Sequence, residues 1–295
     1  MAVRLVVDLY SGPGGVGLAL DAFQREYGAS FEHVGVDITD YSATYPGQFI
    51  QADASHVAFI SRLPSPKVLW MSPRCQAYSR LSKANAGRYD WDRTPKEKYP
   101  TFDDLNVRAV LDALDPEYYV IENVATCDDL RDPARVNGQA FGLPIENERH
   151  FETNFPVPDA LGSGRPEFVI GRGYDHHDLA AAKGVPASWA ESEVTSAIPR
   201  EFVQYVLSYC PAFPEIPAPE TQKQPRQTTL ADGGRKTAYR PPCDAVENWS
   251  SRAPWDRIER RVCPNCRYYF DTKATSGQVF CGDACRQRHE RGEFL

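Results

Sequence analysis

Short apolar runs alternate with stretches of helical periodicity through the first half of the chain. The runs "RLVVDLY", "FEHVGVDI", "KVLWMS" and "EYYVIENV" each have the length of a buried strand. The stretch "GGVGLALDAF" follows the first run and "TFDDLNVRAVLDALD" precedes the last, both with apolar residues spaced as on one helix face. Alternating strands and helices predict an α/β fold with a doubly wound, mostly parallel sheet that is covered on both faces. Ligands of such sheets bind beyond the carboxyl ends of the strands.

The pattern weakens in the second half of the chain. Residues 152–185 are rich in Gly and Pro and lose the periodicity, and "AIPREFVQYVLSYC" then predicts a helix with Pro199 in its first turn. Residues 211–256 have the composition of a Pro-rich linker. We therefore expect one main domain over residues 1–151, a small insertion at 152–185, a helix at 186–210 that returns to the domain, and a separate module at 257–295.

Length and composition fit a globular enzyme. A chain of 295 residues with 42 % apolar content can bury a substantial core. Its apolar runs are too short to span a membrane, and its N-terminus lacks a signal-peptide pattern, so we expect a soluble, cytoplasmic protein without a membrane partner. Four of the eight cysteines lie in the last 33 residues at metal-ligand spacing, which favours reduced thiols over disulfides.

The net charge of −7 hides a basic segment. Seven cations lie between positions 74 and 99, against three carboxylates, together with the four aromatic rings of Tyr78, Tyr89, Trp91 and Tyr99. The cations are Arg74, Arg80, Lys83, Arg88, Arg93, Lys96 and Lys98. Cations that contact phosphates, together with rings that stack on bases, suit a loop that touches nucleic acid. The alternative is a solvated charged loop with a few packed rings.

Candidate chemistry clusters where the predicted strands end. The stretch "DLYSGPGG" joins the first strand to the first helix through a Gly-rich turn that lets a ligand approach the backbone. Asp37 is placed to bond ribose hydroxyls and Asp53 an adenine amino group, although each could be an ordinary loop or capping carboxylate. Cys75 and Glu122 end two further strands at the same edge. A cysteine at a strand end is usually inert packing, but Gln76 after it and a Glu-Asn pair at the next strand end favour a chemical role.

In this order, the motifs resemble those of the DNA cytosine-5 methyltransferase family, especially its short phage-type members. The stretch "DLYSGPGG" is similar to the family's first motif, "GVDI" and "QAD" to its second and third, and "SPRCQAYS" to its catalytic motif. "IENV" resembles its Glu-Asn-Val motif, "FGLPIENERHF" its arginine-bearing strand, and "AIPREFVQYVLSY" the helix that completes its cofactor pocket. The resemblance covers residues 3–209.

The resemblance implies a fold, a cofactor and a set of site residues. The fold would be the Rossmann-like fold of methyltransferases, with residues 1–151 as the catalytic domain and 152–185 as an abbreviated target-recognition region. The donor would be S-adenosylmethionine. Its binding residues would be Asp8, Leu9, Tyr10, Ser11, Gly12, Gly14, Gly15, Asp37, Ile38, Asp53 and Thr195.

The implied reaction is alkylation of cytosine at carbon 5. Cys75 would add to C6 of a flipped-out base, Glu122 would assist at N3, and Arg149 would hold O2. Asn123 would support the site, and Arg74 and Gln76 would flank the nucleophile. Double-stranded DNA is the implied partner, as in restriction–modification or other DNA modification in a bacterial or phage-infected cell. RNA is the less favoured substrate, although some relatives with this fold act on transfer RNA.

Two departures from the family pattern suggest alternatives. Arg74 stands where the family has proline, and Thr195 where members often carry Asn. A guanidinium binds carboxylates, so one alternative is a carboxylated S-adenosylmethionine as donor and carboxymethylcytosine as product. The other is a catalytically inactive DNA-binding or protection factor, suggested by Arg74 and by Ile145 and Asn147 in the arginine-bearing motif.

The tail carries a cysteine pattern of its own. Cys263, Cys266, Cys281 and Cys285 have the spacing of a structural Zn²⁺ site and resemble a small treble-clef finger. Redox or disulfide pairing is the alternative. A segment this short needs the metal to fold, and its arginines could contact DNA or a protein partner.

Overall fold

The computed structural model describes residues 4–89, 91–163, 166–169, 175–221, 258–262 and 269–273. The chain divides into two units, Met1–Gln227 and Thr228–Leu295. In the second unit, strands β10 (Ile258–Val262) and β11 (Tyr269–Lys273) pair antiparallel. All further description concerns the first unit.

Nine strands and eight α-helices are described in the first unit. The strands are β1 (Arg4–Leu9), β2 (Phe31–Asp37), β3 (Gln48–Gln51), β4 (Val68–Met71), β5 (Tyr118–Val124), β6 (Ala134–Val136), β7 (Ile145–Glu146), β8 (Arg149–Thr153) and β9 (Phe168–Val169). The helices are α1 (Gly15–Tyr27), α2 (Val57–Ile60), α3 (Arg80–Arg88), α4 (Pro95–Lys98), α5 (Val107–Leu114), α6 (His176–Lys183), α7 (Glu191–Ser196) and α8 (Arg200–Ser208). A 3₁₀ turn covers Gly138–Phe141.

Seven of these strands form one twisted sheet in the order β3-β2-β1-β4-β5-β8-β6. Strands β1 to β5 run parallel to one another, and β8 pairs antiparallel with both β5 and β6. The predicted α/β fold with a Rossmann-like, doubly wound and mostly parallel sheet is confirmed. The strand order reverses between β1 and β4, which places the expected ligand crevice beyond their carboxyl ends.

Alternation of side chains along the central strands explains the layers. Val6 packs into one hydrophobic cluster with residues of α1 and α8, whereas Val7 and Leu9 pack into a second with residues of α5. Successive side chains of a strand point to opposite faces, so both faces of the central strands are apolar and each is covered by helices. The four predicted strands read as continuous apolar runs for this reason.

A third cluster supports the far wall of the ligand crevice. Leu179 of α6, Val194 of α7 and Ile145 of β7 are buried together, with Trp189 between the two helices. This cluster joins the segment predicted as target-recognition region to the segment that returns to the domain. It therefore fixes α7 against the main sheet's ligand edge.

The segment 186–221 departs from the prediction in two places. The predicted returning helix is two helices, α7 and α8, and the second begins at Arg200, one residue after Pro199. The predicted linker does not begin at residue 211, because Phe213 and Ile216 are buried in the core beside α8. The Pro-rich composition hid these two apolar anchors. Among the described residues, no helix is both long and apolar enough to cross a membrane.

Candidate active site

A cavity of about 610 Å³ opens at the carboxyl ends of β1, β2, β4 and β5. It is lined at one end by the Gly-rich turn after β1 and at the other by the residues that follow β4 and by the end of β5. Residues of α7 and of the turn before α8 close one wall. The cavity thus joins the two groups of side chains that the sequence placed at one sheet edge.

The Gly-rich turn after β1 needs glycine at two points. Gly12 and Gly14 have φ angles of +53° and +107°, in the region that L side chains rarely adopt. A Cβ on Gly14 would also lie 2.8 Å from Cδ of Pro46. The turn is held from β2, because the Gly12 amide donates to Oδ2 of Asp37 over 2.9 Å.

Two carboxylates line the same end of the cavity. Asp37 accepts the Thr39 amide on its other oxygen at 2.9 Å, and Asp53 accepts the amide and hydroxyl of Ser55 on Oδ1. The hydrogen bonds from Ser55 lower the pKa of Asp53, which keeps this carboxyl ionised. Ile38 lies next to Asp37 and is 56 % exposed. These side chains offer acceptors for hydroxyl and amino groups beside an apolar surface.

Asp8 adds an acceptor at the centre of the cavity. The side chain is fully buried and its Oδ2 accepts the Tyr45 hydroxyl at 3.4 Å, whereas Oδ1 has no hydrogen-bond partner among the described residues. Burial raises the pKa of Asp8 well above its ordinary value. A buried carboxyl oxygen without a donor is costly unless a ligand supplies one. The amino group of a bound methionine moiety would supply such a donor, so the residues here fit S-adenosylmethionine.

Cys75 lies at the other end, in the turn that follows β4. Its carbonyl accepts the amides of Tyr78 and Ser79, which folds the chain back directly after the cysteine. Cys75 lines the cavity and is a free cysteine. Burial raises its pKa above the ordinary value, and the nearby Arg149 guanidinium opposes that shift.

Glu122 and Arg149 form a pair beside this cysteine. Arg149 of β8 lies opposite Val124 of β5, so its side chain shares a sheet face with Glu122 two residues earlier. Arg149 Nε lies 2.9 Å from Glu122 Oε1, with both side chains largely buried. Burial raises the pKa of Glu122 above its ordinary value, although Arg149 opposes the shift. Burial thus makes this carboxyl a stronger proton acceptor than an exposed one.

Asn123 lies under the site rather than in it. The side chain is 1 % exposed, and its Nδ2 donates to the Pro73 carbonyl at 2.9 Å. Its Oδ1 accepts the Val124 amide. Asn123 therefore ties the end of β5 to the turn that carries Cys75, which agrees with the supporting role the resemblance implies.

Arg74 and Gln76, on either side of the nucleophile candidate, are both exposed and both line the cavity. Within the described part of the chain, Arg74 forms no ion pair. Its guanidinium is therefore available to a ligand.

Most of the residues predicted from the sequence meet at this cavity. Of the described residues predicted as site residues, four do not line it: Leu9, Gly14, Asn123 and Thr195. Leu9 is buried in the core, and the Thr195 carbonyl accepts a hydrogen bond from Lys183. The cavity is instead lined from α7 by Ser192, Glu193 and Ser196.

Helical spacing accounts for the residues that the prediction missed. Positions 192 and 196 lie four apart on one helix face. Positions 193 and 195 flank that face on opposite sides, each about 80° from its centre, and only the side of Glu193 lines the cavity. The sequence pattern predicts one returning helix over 186–210 and does not mark "ESEVTS" as a separate helix at 191–196. Trp189 and Tyr41 also line the cavity and were not predicted.

The remaining predictions at the site concern the arginine-bearing motif and the tail. Ile145 is buried in the cluster under α6 and α7, and Asn147 is buried with an Nδ2 that has no partner among the described residues. Cys263, Cys266, Cys281 and Cys285 lie outside the described residues. Within the described ranges, no three His, Cys, Asp or Glu side chains form a metal-binding group.

Comparison with known proteins gave matches among solved structures only. No protein-family model matches the chain, and no curated protein matches it. The S. pombe Dnmt2 methyltransferase is 14 % identical, with a TM-score of 0.44 over 70 % of this chain and 98 % of that one. The Entamoeba histolytica methyltransferase EhMeth is 10 % identical, with a TM-score of 0.48 over 73 % of this chain and 99 % of that one.

A third solved structure is that of an E. coli prophage protein assigned as a DNA modification methyltransferase. It is 16 % identical, with a TM-score of 0.36 over 60 % of this chain and 54 % of that one. Likenesses at this level carry no inference about activity. The functional argument therefore rests on this chain's own structure. Its Rossmann-like fold has a cavity where the strand order reverses, and in that cavity a cysteine, a buried acid and an arginine adjoin a Gly-rich turn.

Proposed function

We propose that this protein is a methyltransferase that uses S-adenosylmethionine to modify carbon 5 of cytosine in DNA. One observation carries the proposal. Cys75, Glu122 and Arg149 line the same cavity as the Gly-rich turn, Asp37 and Asp53. A nucleophile for the base and acceptors for the donor thus share one space at the switch point of the sheet.

The residues at the donor end fit the parts of S-adenosylmethionine in turn. The orphaned Oδ1 of Asp8 would accept from the amino group, Asp37 would bond ribose hydroxyls, and Asp53 would accept from the adenine amine. Ile38 would cover the adenine with its exposed apolar side chain. Once bound there, the cofactor supplies an electrophilic methyl group.

The residues at the other end would activate the base. The Cys75 thiolate adds to C6, and the electron pair of the C5–C6 double bond moves toward N3, where the proton of Glu122 is accepted. This makes C5 nucleophilic. Alkylation of C5 breaks the methyl–sulfur bond of the donor and leaves S-adenosylhomocysteine. A base then removes the C5 proton, the C5–C6 double bond re-forms, the C6–S bond breaks to return Cys75 as thiolate, and N3 gives its proton back to Glu122. Arg149 pairs with the carboxyl of Glu122. It would also hold O2 of the base.

DNA is favoured over RNA as the substrate by the resemblance rather than by the geometry of the cavity. The base must leave its helix to reach Cys75, because the thiol lies inside the cavity. The test is nucleoside mass spectrometry of duplex DNA and of transfer RNA after incubation with protein and isotope-labelled donor. We expect labelled 5-methylcytosine in DNA, and none with Cys75→Ser. Label confined to RNA would assign the other substrate.

A second candidate is transfer of a carboxymethyl group. It is favoured by Arg74, which lines the cavity next to Cys75 and has no ion-pair partner among the described residues. A guanidinium there could bind a carboxylate on the donor in bidentate fashion. The same mass spectrometry, with the carboxylated donor supplied, tests this candidate. Formation of 5-carboxymethylcytosine would support it, and loss of that product in Arg74→Pro would show that the transfer depends on the arginine.

For the tail we propose a structural Zn²⁺ held by Cys263, Cys266, Cys281 and Cys285. The proposal rests on the spacing of the four cysteines. Elemental analysis of the purified chain is expected to find about one zinc per molecule, which Cys263→Ser with Cys266→Ser would remove. A metal-free wild-type chain prepared under reducing conditions without chelator would contradict it. We also propose that this module contacts DNA or a protein partner.

A further inference from the structure

Lys183 is a buried lysine next to the cavity that the proposed mechanism does not use. It is the last residue of α6 and its side chain is 0 % exposed. Its Nζ donates to the carbonyl of Thr195 at 2.6 Å and to that of Ala197 at 2.8 Å. Lysine is almost never fully buried without a specific partner, so these two carbonyls are the reason for its place.

The backbone around Thr195 explains why these carbonyls need an outside donor. In a continuing helix, the Thr195 carbonyl would accept the amide of residue 199, but Pro199 has no N–H. Ala197 has left the helix, with φ −55° and ψ 143°. The last carbonyls of a helix lack intrahelical partners and carry the negative end of its dipole. Lys183 donates to both carbonyls from the neighbouring helix.

The turn that Lys183 holds is a wall of the cavity. Ser196, Ala197 and Ile198 all line it. This wall also abuts the Gly-rich turn, because a Cβ built on Gly15 would lie 3.6 Å from Cβ of Ala197 and 3.8 Å from the Ile198 amide nitrogen. A shift of the turn would therefore change the width of the cavity at its donor end.

The electrostatic surroundings place Lys183 between the two ends of the site. Burial lowers the pKa of its amine well below the ordinary value, Arg149 lowers it further, and Glu122 and Cys75 oppose both. A neutral amine has two N–H groups and an ammonium three, so either form can donate to both carbonyls. The hydrogen bonds therefore persist whatever the charge.

We infer that Lys183 is a positioning residue for the methyl donor. It fixes the Thr195–Ile198 wall at the distance from the Gly-rich turn that the cofactor requires. The inference rests on the proposed function, since it presumes that the donor binds in this cavity. It predicts that loss of the two hydrogen bonds weakens cofactor binding more than it changes the chemical step.

The test uses the full chain with Lys183→Met, which keeps an unbranched apolar side chain as far as Cε but removes the donors. Lys183→Gln, which retains one amide donor group, is the conservative partner. Lys67→Met is the matched control, because Lys67 precedes β4 at its amino end and pairs with Glu117 on the surface. The measurements are calorimetric affinity for S-adenosylhomocysteine, KM and kcat for S-adenosylmethionine, and affinity for duplex DNA.

We expect Lys183→Met to weaken S-adenosylhomocysteine binding about tenfold and raise KM by a similar factor, as for the loss of hydrogen bonds to a buried site. The kcat at saturating donor should change less than about threefold, DNA affinity should stay as in wild type, and Lys183→Gln should recover part of the loss. A folded Lys183→Met with wild-type affinity for S-adenosylhomocysteine would overturn the inference. Failure of both variants to fold would also overturn it, by assigning Lys183 to general stability. If the wild-type chain itself binds no S-adenosylhomocysteine, the proposed function fails.

Discussion

At the scale of single residues, burial sets the chemistry of the cavity. The pKa of Glu122 and that of Cys75 are both raised by burial, and Arg149 opposes both shifts. The proposed addition needs the acid protonated and the thiol ionised. In the resting site the proton sits on the sulfur, so the reactive form is a minor one in which the proton has moved toward Glu122.

The pH dependence of Glu122→Gln tests this assignment. In wild type, rising pH ionises Cys75 but deprotonates Glu122, so between the two pKa values the effects cancel and the rate is level. In Glu122→Gln only the thiol titrates, and the rate should rise about tenfold per unit between about pH 6 and about pH 8, because the pKa of Cys75 lies above that range. Near neutral pH the variant should lose about 10²- to 10⁴-fold in kcat. Single-turnover rates at saturating DNA provide the measurement. A level profile in the variant would rule out Glu122 as the acid.

Several residues of the site could be predicted from the sequence, whereas others could not. Cys75, Glu122, Arg149, Asp37 and Asp53 were predicted as site residues, and the structure brings all five to one cavity. Asp37, Cys75 and Glu122 lie near or after the carboxyl ends of strands that read as apolar runs, and parallel strands end at one edge. Lys183 could not be predicted, because its role depends on two backbone carbonyls of another helix.

At the scale of elements, α3 carries three of the seven cations in the segment around and after Cys75: Arg80, Lys83 and Arg88. The helix begins after Ser79, whose hydroxyl accepts the Ser82 amide at 3.0 Å. Lys83 and Arg88 are exposed, and Leu81 and Tyr89 are exposed large side chains on the same element. This exposure suits a surface that meets nucleic acid.

Removing two of these cations should weaken binding through the phosphates. In Lys83→Gln with Arg88→Gln, we expect lower affinity for duplex DNA of any sequence, with the slope of log K against log salt reduced by about 2, as two phosphate contacts are lost. Fluorescence anisotropy across a salt series measures the slope. The matched control is Arg25→Gln with Arg62→Gln, which removes two exposed cations from the end of α1 and from the residues after α2. Equal slopes for both double variants would contradict a role of α3 in DNA contact.

Element boundaries were less predictable than element existence. Strands β1, β2, β4 and β5 and helices α1 and α5 were apparent from periodicity alone. Helix α7 was not, because it is a short polar stretch in which Val194 is the main buried apolar residue. A helix of six residues has too few apolar positions to give a clear period. Its place depends on α6 and Trp189, which no local pattern reveals.

At the scale of the whole molecule, the core extends past the last helix. Phe213 is fully buried, with its ring 5.2 Å from that of Phe31 and the Arg4 guanidinium 5.3 Å from its centre. Composition suggested a linker because prolines surround it. A single buried ring among prolines does not stand out in a sequence, but it closes the sheet's covered face near the amino end of β1.

Phe213→Ala should destabilise the first unit by about 3 to 5 kcal/mol, the usual cost of deleting a fully buried ring. Glu220→Ala, a change at an exposed position further along the same segment, should stay within about 0.5 kcal/mol of wild type. Urea titration followed by circular dichroism gives both values. A loss below about 1 kcal/mol for Phe213→Ala would mean that the core ends at α8, as the composition suggested.

The central claim is that the sulfur of Cys75 bonds covalently to C6 of a cytosine. The most direct measurement is intact-mass spectrometry of the full chain after incubation with S-adenosylmethionine and duplex DNA that contains 5-fluorocytosine, in which fluorine blocks the removal of the C5 proton. The account predicts a stable protein–DNA adduct of one strand per chain that is absent with Cys75→Ala, while Cys127→Ala, a change at a buried thiol outside the cavity lining, retains it. An adduct that persists in Cys75→Ala, or a wild-type chain that binds the duplex without forming one, would contradict it.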